Sequence, residues 1–146
     1  MNNPLQDERR PQTSTMIQEL LAERKQVWAL YCELGGMKPF APGRTVDRKI
    51  QEFCQILIDY ISLGHFGVYR RIIDGTERRR KAIDAAQQVY PAIEEVTDTA
   101  LQFNDKYAQP EAQAVYLELE KDLSQLGEAL ATRFDLEDQL MASLLA

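Results

Sequence analysis

Residues 53–69 read FCQILIDYISLGHFGVY, and at helical spacing this run has apolar side chains on two opposite faces. One face forms the stripe expected of a helix packed in a core: Ile50, Phe53, Cys54, Leu57, Ile58, Ile61, Val68 and Ile72. The opposite face mixes apolar with short polar side chains: Ile56, Asp59, Ser62, Leu63 and Phe66. Because a helix at the edge of a small bundle normally shows only polar residues to water, the second face predicts a surface that another macromolecule covers. The alternative is a central helix that is buried on all sides.

The composition favours one all-α domain. The chain has 146 residues, enough for a domain with a core, and only seven Gly and six Pro interrupt a sequence rich in helix-forming residues. No run approaches the roughly 18 uninterrupted apolar residues of a membrane span. Residues 1–15 lack the apolar region of a signal peptide. We therefore expect a cytoplasmic protein.

Helix-breaking residues divide the chain into segments. We expect residues 1–12 to form a disordered tail. Four long amphipathic helices are expected to follow, over residues 13–34, 45–73, 76–104 and 111–144. Gly64 and Gly67 predict a kink or a close backbone approach in the second helix, and Pro91 predicts a break or kink near Val89 and Tyr90 in the third. Four such helices with short connections predict an antiparallel up-down four-helix bundle with long, kinked helices, formed by residues 13–146 as a single domain.

Some charged residues fall on faces that are predicted to be buried. Arg24 lies on the predicted stripe of the first helix, His65 at the edge of the second and Glu137 on the fourth. Since a buried charge is costly unless it is paired, a hydrogen-bonded network among the three would satisfy all of them. The alternative is that the ends of the bundle leave them in water. The stripe predicted for the first helix is Ile17, Leu20, Leu21, Arg24, Trp28 and Tyr31.

The sequence offers little for catalysis, metal binding or a cofactor. His65 is the only histidine, and Glu137 and Asp138 are neighbours that cannot share a helix face, which argues against metal sites of the usual kinds. Cys32 and Cys54 are expected to be buried, reduced thiols. No nucleophile or phosphate-loop motif occurs, so we expect a protein that is not an enzyme. A histidine phosphotransfer domain remains an alternative, although His65 lacks the lysine and glycine expected close behind it.

Charge is distributed unevenly along the chain. Residues 1–89 carry 14 basic and 11 acidic side chains, whereas residues 90–146 carry 3 basic and 12 acidic ones. The acidic part would repel nucleic acid and attract a basic partner. A cluster of basic residues that includes Arg78, Arg79 and Arg80 is interpreted as a solvated helix junction, and direct DNA binding through it is the weaker alternative.

Two segments carry a resemblance to a known family. FCQILIDYISLGHFGVY (53–69) resembles the signature of the bacterial regulator of sigma D proteins, the Rsd/AlgQ family, and LSQLGEALATRFDLEDQLM (123–141) resembles the family's C-terminal block. The regions around Met37 and Tyr90 also fit, so the resemblance spans roughly residues 16–145. The chain departs from the family where an Asp-Arg-Trp run is usual, since it has residues 18–20, Gln-Glu-Leu, at that place.

The resemblance implies a helical anti-sigma protein. Family members bind the principal sigma factor of RNA polymerase, chiefly its C-terminal promoter-reading domain, keep it from core polymerase and promoter DNA, and favour alternative sigma factors as growth slows. On that interpretation the contacts are Ile56, Asp59, Ser62, Leu63 and Phe66, with Phe66 as the apolar anchor and Asp59 facing a sigma Arg or Lys. A second possibility is an interaction hub with other partners, such as a sugar-phosphotransfer carrier protein or an alarmone hydrolase.

Overall fold

The chain is all-α throughout the residues that the computed structural model describes, which are 4–41, 43–69, 80–109 and 116–145. This part contains four α-helices: α1 (Pro4–Gly35), α2 (Arg44–Leu63), α3 (Arg80–Tyr107) and α4 (Leu119–Leu145). A π-helical segment, Gly64–Tyr69, follows α2 directly, and a 3₁₀ turn at residues 116–118 precedes α4. The prediction of an all-α fold is confirmed.

The helices pack in a ring around one core. α3 packs most extensively on α4 and α1 on α2, and contacts of α2 with α3 and of α1 with α4 complete the ring. The core contains side chains from all four helices, among them the fully buried Leu20, Phe53, Leu57, Tyr107 and Leu130. Burial of each such apolar side chain contributes about 1.5–3 kcal/mol relative to exposure. The packing of these amphipathic faces therefore dominates the stability of the fold.

α1 differs from its prediction at one end and on one face. It begins at Pro4, so residues 4–12 of the predicted tail are helical and the predicted start at Thr13 is wrong; residues 1–3 lie outside the described part. Its end at Gly35 is as predicted. The core receives Leu20, Val27 and Leu34, all fully buried, whereas Leu21 is 39% and Trp28 41% exposed. The sequence carries two overlapping apolar stripes, and packing selects the one with seven-residue spacing.

The helical geometry changes at the C-terminal end of α2, where Gly64 and Gly67 occur. α2 ends at Leu63 and the perturbation predicted at Gly64 and Gly67 takes the form of the π-helical segment. Hydrogen bonding from residue i to i+5 widens the turn and rotates the side chains beyond it relative to a regular α-helix. The predicted continuation to Ile73 lies outside the described residues.

α3 runs without interruption through Pro91, so a break there, the first of the two predicted possibilities, is wrong, and the kink stays a prediction. Proline removes one backbone donor and normally frees the carbonyl four residues earlier. Pro91 and Gln87 are both exposed, so water can bond that carbonyl and the helix continues. The predicted helix start near residue 76 and the arginines at 78 and 79 fall outside the described residues, as does the start of the last helix near residue 111.

Candidate partner-binding surface

One exposed ridge runs along α2 and into the π-helical segment. We call it the α2 ridge: Ile56, Asp59, Ser62, Leu63 and Phe66. Asp59 and Ser62 are exposed, Ile56 and Leu63 are partly buried, and the Phe66 side chain is 60% exposed. The opposite face of α2 is buried in the core through residues such as Phe53 and Leu57. The two faces predicted from the sequence are therefore present, and the second is open to solvent.

The π-helical segment places Phe66 at the end of the ridge. Gly64 is buried, and a Cβ added to Gly67 would lie 3.4 Å from a methyl carbon of Leu63, in ordinary contact. The His65 ring meets the Phe66 ring edge to face, with their centroids 4.9 Å apart. Single π-helical turns are frequent at functional sites because they change the direction of side chains locally. Here the change leaves a large aromatic ring exposed.

A groove of about 480 Å³ lies beside the ridge, between α2 with its π-helical segment and α3. We call it the α2–α3 groove. Its floor includes the buried Ile61 and Ile93, and its rim includes the exposed Phe66 and Leu101, the latter 38% exposed. The remaining lining residues are Ser62, His65, Tyr90, Glu94, Thr97, Asp98 and Arg133. An apolar floor with an apolar rim and a few polar groups is typical of binding clefts.

The α3 wall of this groove was missed by the sequence interpretation. Leu101 directly follows the buried Ala100 but is itself 38% exposed. The buried stripe of α3 consists of Ala82, Ala86, Val89, Ile93, Ala100, Phe103 and Tyr107. A leucine off the dominant stripe was the available signal.

The groove is acidic at its edge. Glu94 and Asp98 are exposed and stand one helical turn apart on α3. Burial raises the pKa of Tyr90, and the neighbouring Glu94 carboxylate raises it further. Among the described residues, neither carboxylate forms an ion pair with Lys or Arg. Arg133, which also lines the groove, is only 2% exposed. A partner would therefore meet negative charge at this edge.

A buried polar network lies beneath the groove. Arg133 and Glu137, one turn apart on α4, are 2% and 1% exposed, and their side chains are 3.5 Å apart. Arg133 also donates to the Thr97 hydroxyl at 2.7 Å and stands 5.0 Å above the Tyr60 ring, while the Tyr60 hydroxyl donates to Glu137. Multiple partners of this kind offset the desolvation of a buried ion pair. The sequence interpretation did not identify Arg133, although it lies four residues before Glu137 on the same helix face.

The structure brings together two of the three residues expected to form a network. Arg24 lies 3.9 Å from Glu137 and 2.8 Å from Asp138, and its guanidinium stands 5.0 Å from the centre of the Phe134 ring. His65 is exposed in the α2–α3 groove and is not a buried member of this network. The wider π-helical turn accounts for the difference, because it moves residues after Gly64 away from their α-helical positions.

A second groove, of about 320 Å³, lies between α1 and α4 and consists of Leu21, Arg24, Lys25, Trp28 and Phe134. We call it the α1–α4 groove. Trp28 stacks on Tyr31 with centroids 5.0 Å apart and meets Phe134 edge to face at 6.0 Å. The tryptophan is thus exposed on one side and packed on the other.

The two cysteines differ in their surroundings. Both are free, Cys32 is exposed and Cys54 is buried, so the expectation of burial is wrong for Cys32. Burial raises the pKa of the Cys54 thiol to about 12. Within the described ranges, no cluster of three or more His, Cys, Asp or Glu side chains could hold a metal ion, and none of the described helices is long and apolar enough to cross a bilayer.

The comparison with known proteins gives the family. A model of the family "Regulator of RNA polymerase sigma(70) subunit, Rsd/AlgQ" matches residues 3–145. The chain therefore belongs to the Rsd/AlgQ family of regulators of the RNA polymerase sigma(70) subunit, and the resemblance seen in the sequence is confirmed.

Curated relatives agree with this assignment. The chain is 36% identical to the regulator of sigma D of Yersinia enterocolitica over 135 residues, covering 88% of this chain and 80% of that protein. It is 38% identical to the regulator of sigma D of Enterobacter sp. over 133 residues, covering 89% and 80%. The corresponding protein of Shigella dysenteriae is 34% identical over 136 residues, covering 91% and 85%. No solved structure gives a significant match.

Proposed function

We propose that this protein binds the principal sigma factor of bacterial RNA polymerase through the α2 ridge and so limits the use of that factor at promoters. The observation that carries the proposal is the 60% exposure of Phe66 next to a ridge that bears the exposed carboxylate of Asp59. An exposed aromatic ring beside charge is typical of a protein–protein contact and is unfavourable on a surface that nothing covers. Binding without catalysis is sufficient for this role.

We further propose that the contacted part of sigma is its C-terminal promoter-reading domain. Such a helix-turn-helix domain has a basic surface that faces DNA phosphates. An acidic surface can occupy that position, because its carboxylates interact with the same Lys and Arg side chains. Residues 90–146, which form most of α3 and all of α4, carry 12 acidic side chains against 3 basic ones. The charge of the protein therefore complements that domain and opposes nucleic acid.

The residues of the α2 ridge would contribute unequally to the binding free energy. Phe66 is the proposed apolar anchor, and Ser62 and Asp59 would make polar contacts. Ile56 and Leu63 are already partly buried, so they would contribute less new burial on binding. The side chain of Asp59 accepts a hydrogen bond from Gln55 at 3.1 Å, which orients the carboxylate on the ridge.

Two parts of the fold assignment also belong to this proposal. We propose that residues 13–146 form a single antiparallel up-down bundle, supported by the ring of helix contacts and by one core that includes all four helices. We also place the protein in the cytoplasm, where bacterial RNA polymerase works.

A titration of the purified protein against purified principal sigma factor, and against its separate domains, tests the proposal. We expect binding to full-length sigma and to the C-terminal domain. Asp59→Asn should slow association and flatten its dependence on salt, because an exposed charge acts mainly on the rate of encounter. Asp135→Asn, which removes an exposed carboxylate on α4, is the matched control and should change little. No detectable binding of the unsubstituted protein to sigma would contradict the proposal.

A further inference from the structure

We infer that the sigma factor inserts an apolar side chain of a basic, amphipathic helix into the α2–α3 groove, and that Glu94, Asp98 and Leu101 on α3 select for it. This inference rests on the proposed function and extends the contact surface from the α2 ridge to a second helix.

The groove has room for a large apolar side chain. Ile61 and Ile93, 7% and 3% exposed, form an apolar floor, and Phe66 and Leu101 flank the opening. The volume of about 480 Å³ lies within the roughly 300–1,000 Å³ usual for pockets that bury a ligand. A partner side chain that enters between the two rim residues would cover both of them and remove apolar area from water.

The floor of the α2–α3 groove offers few polar groups to a bound partner. The Thr97 hydroxyl donates to the Ile93 carbonyl at 2.6 Å and accepts from Arg133 at 2.7 Å. The Arg133 guanidinium is in turn held by Glu137 and by the Tyr60 ring. These groups are occupied within the protein, so Arg133, the arginine among the described residues that line the groove, is not available to an anionic ligand. The polar groups that a partner can reach lie at the edge: the carboxylates of Glu94 and Asp98 on α3, and Ser62 and His65 on the opposite wall.

The spacing of those carboxylates specifies the charge of the partner. Glu94 and Asp98 are at positions i and i+4 on α3, so both side chains project from the same face about one turn apart. The groove edge therefore matches a helix whose apolar residue has Lys or Arg about one turn away. Like-charge repulsion would reject an acidic helix and nucleic acid at the same place.

Removal of the two carboxylates tests the charge requirement. The double variant Glu94→Gln/Asp98→Asn should weaken the binding of principal sigma factor about fivefold or more at low salt and should reduce the salt dependence of the association rate. The control is Glu95→Gln/Asp135→Asn, which removes one Glu and one Asp that are exposed but do not line the groove. Both double variants have the same net charge, so a general electrostatic effect would appear in both.

Truncation of the rim leucine tests the apolar requirement. Leu101→Ala should weaken sigma binding about fivefold, because the inserted side chain loses one wall. Leu117→Ala is the control, since Leu117 is 99% exposed and does not line the groove. Urea unfolding of each variant shows whether the fold is retained.

The outcomes separate the two proposals. If the unsubstituted protein binds sigma and Phe66→Ala weakens that binding, while the α3 variants equal their controls, the groove inference is overturned and the proposed function stands. If both α3 variants bind more weakly than their controls with unchanged unfolding, the inference holds. If the unsubstituted protein does not bind sigma, both proposals fail.

Discussion

The α2–α3 groove and the α1–α4 groove both expose large apolar side chains, but they differ in the charged groups that stand beside those side chains. Trp28 stacks on Tyr31 and packs edge-on against Phe134, and Arg24 in the same groove is bound to Asp138 at 2.8 Å. In the α2–α3 groove Phe66 and Leu101 stand at the rim, and the carboxylates of Glu94 and Asp98 form no ion pair with a described residue.

The difference shows that exposure alone does not identify a binding surface. The fractional exposure of Trp28, 41%, is close to that of Leu101, 38%. What distinguishes the α2–α3 groove is the pair of carboxylates of Glu94 and Asp98, which form no ion pair within the described ranges, next to the exposed side chains of Phe66 and Leu101. We therefore expect substitutions in the α1–α4 groove to act on stability and those in the α2–α3 groove to act on binding.

The largest loss of stability is expected from a substitution at Glu137, because its carboxylate contacts a residue of each groove. The buried carboxylate of Glu137 contacts Arg133 of one groove and Arg24 of the other. Glu137→Ala should lower the free energy of unfolding by about 3–5 kcal/mol, because it leaves Arg133 buried without its carboxylate. Urea titration measures this directly.

Asp138→Ala is the control for that substitution. Its side chain is 54% exposed and pairs with Arg24 at the surface, where ion pairs contribute about 0–1 kcal/mol. Equal losses in the two variants would contradict the view that one network supports both grooves.

A smaller loss of stability is expected from crowding the hydroxyl of Tyr31. The Tyr31 hydroxyl donates to the Leu123 carbonyl at 2.8 Å, and a methyl group at Gly127 would overlap that hydroxyl. Gly127→Ala should therefore cost about 1–3 kcal/mol of stability while sigma affinity is retained. Gly35→Ala, whose new methyl meets nothing within 4 Å, should be neutral or slightly stabilising. A loss of sigma affinity in folded Gly127→Ala would break the division between the two grooves.

Stability is expected to fall at high pH because of Cys54, which lies on the buried face of α2. Burial raises the pKa of Cys54 from 9.0 to about 12, so folding favours the neutral thiol. The stabilisation is complete below pH 9.0 and is lost as the pH rises towards 12, at roughly 1 kcal/mol per pH unit. Urea titrations between pH 8 and 10 should show this slope, and Cys54→Ala should reduce it. An unchanged slope in Cys54→Ala would contradict burial as its cause.

The smallest effect on sigma affinity is expected from chemical modification of Cys32 on α1, near Trp28. Cys32 is exposed and one helical turn from Trp28, so a maleimide reagent should label it in the folded protein while Cys54 reacts only on unfolding. Labelled protein should bind sigma with unchanged affinity. Weaker binding after labelling would place α1 within the interface.

The sequence predicted the helices better than their contacts. The all-α fold and the end of α1 at Gly35 follow from local signals, namely period and glycine. The buried face of α1 was predicted only in part, because two apolar stripes overlap. Ile17 and Leu20 are buried as predicted, but only packing against other helices selects Val27 and Leu34. The predicted break at Pro91 failed because its surroundings are open to water.

Only the α2 part of the candidate site could be predicted from the sequence. The exposure of Ser62 and Asp59 follows from the helical period of α2, whereas Phe66 lies beyond α2 in the π-helical segment. The opposite wall on α3 depends on which helices become neighbours, and no pattern within one helix reports that. The glycines at 64 and 67 signalled a perturbation of the helix, but not its π-helical form.

Sigma affinity and unfolding free energy, measured together for Phe66→Ala and Trp28→Ala, test the central claim most directly. Phe66→Ala should weaken sigma binding by about 2 kcal/mol or more with little change in stability. Trp28→Ala should lower stability by about 1–2 kcal/mol, through loss of its ring contacts, with affinity unchanged. The reverse pattern, or full affinity in Phe66→Ala, would contradict the account.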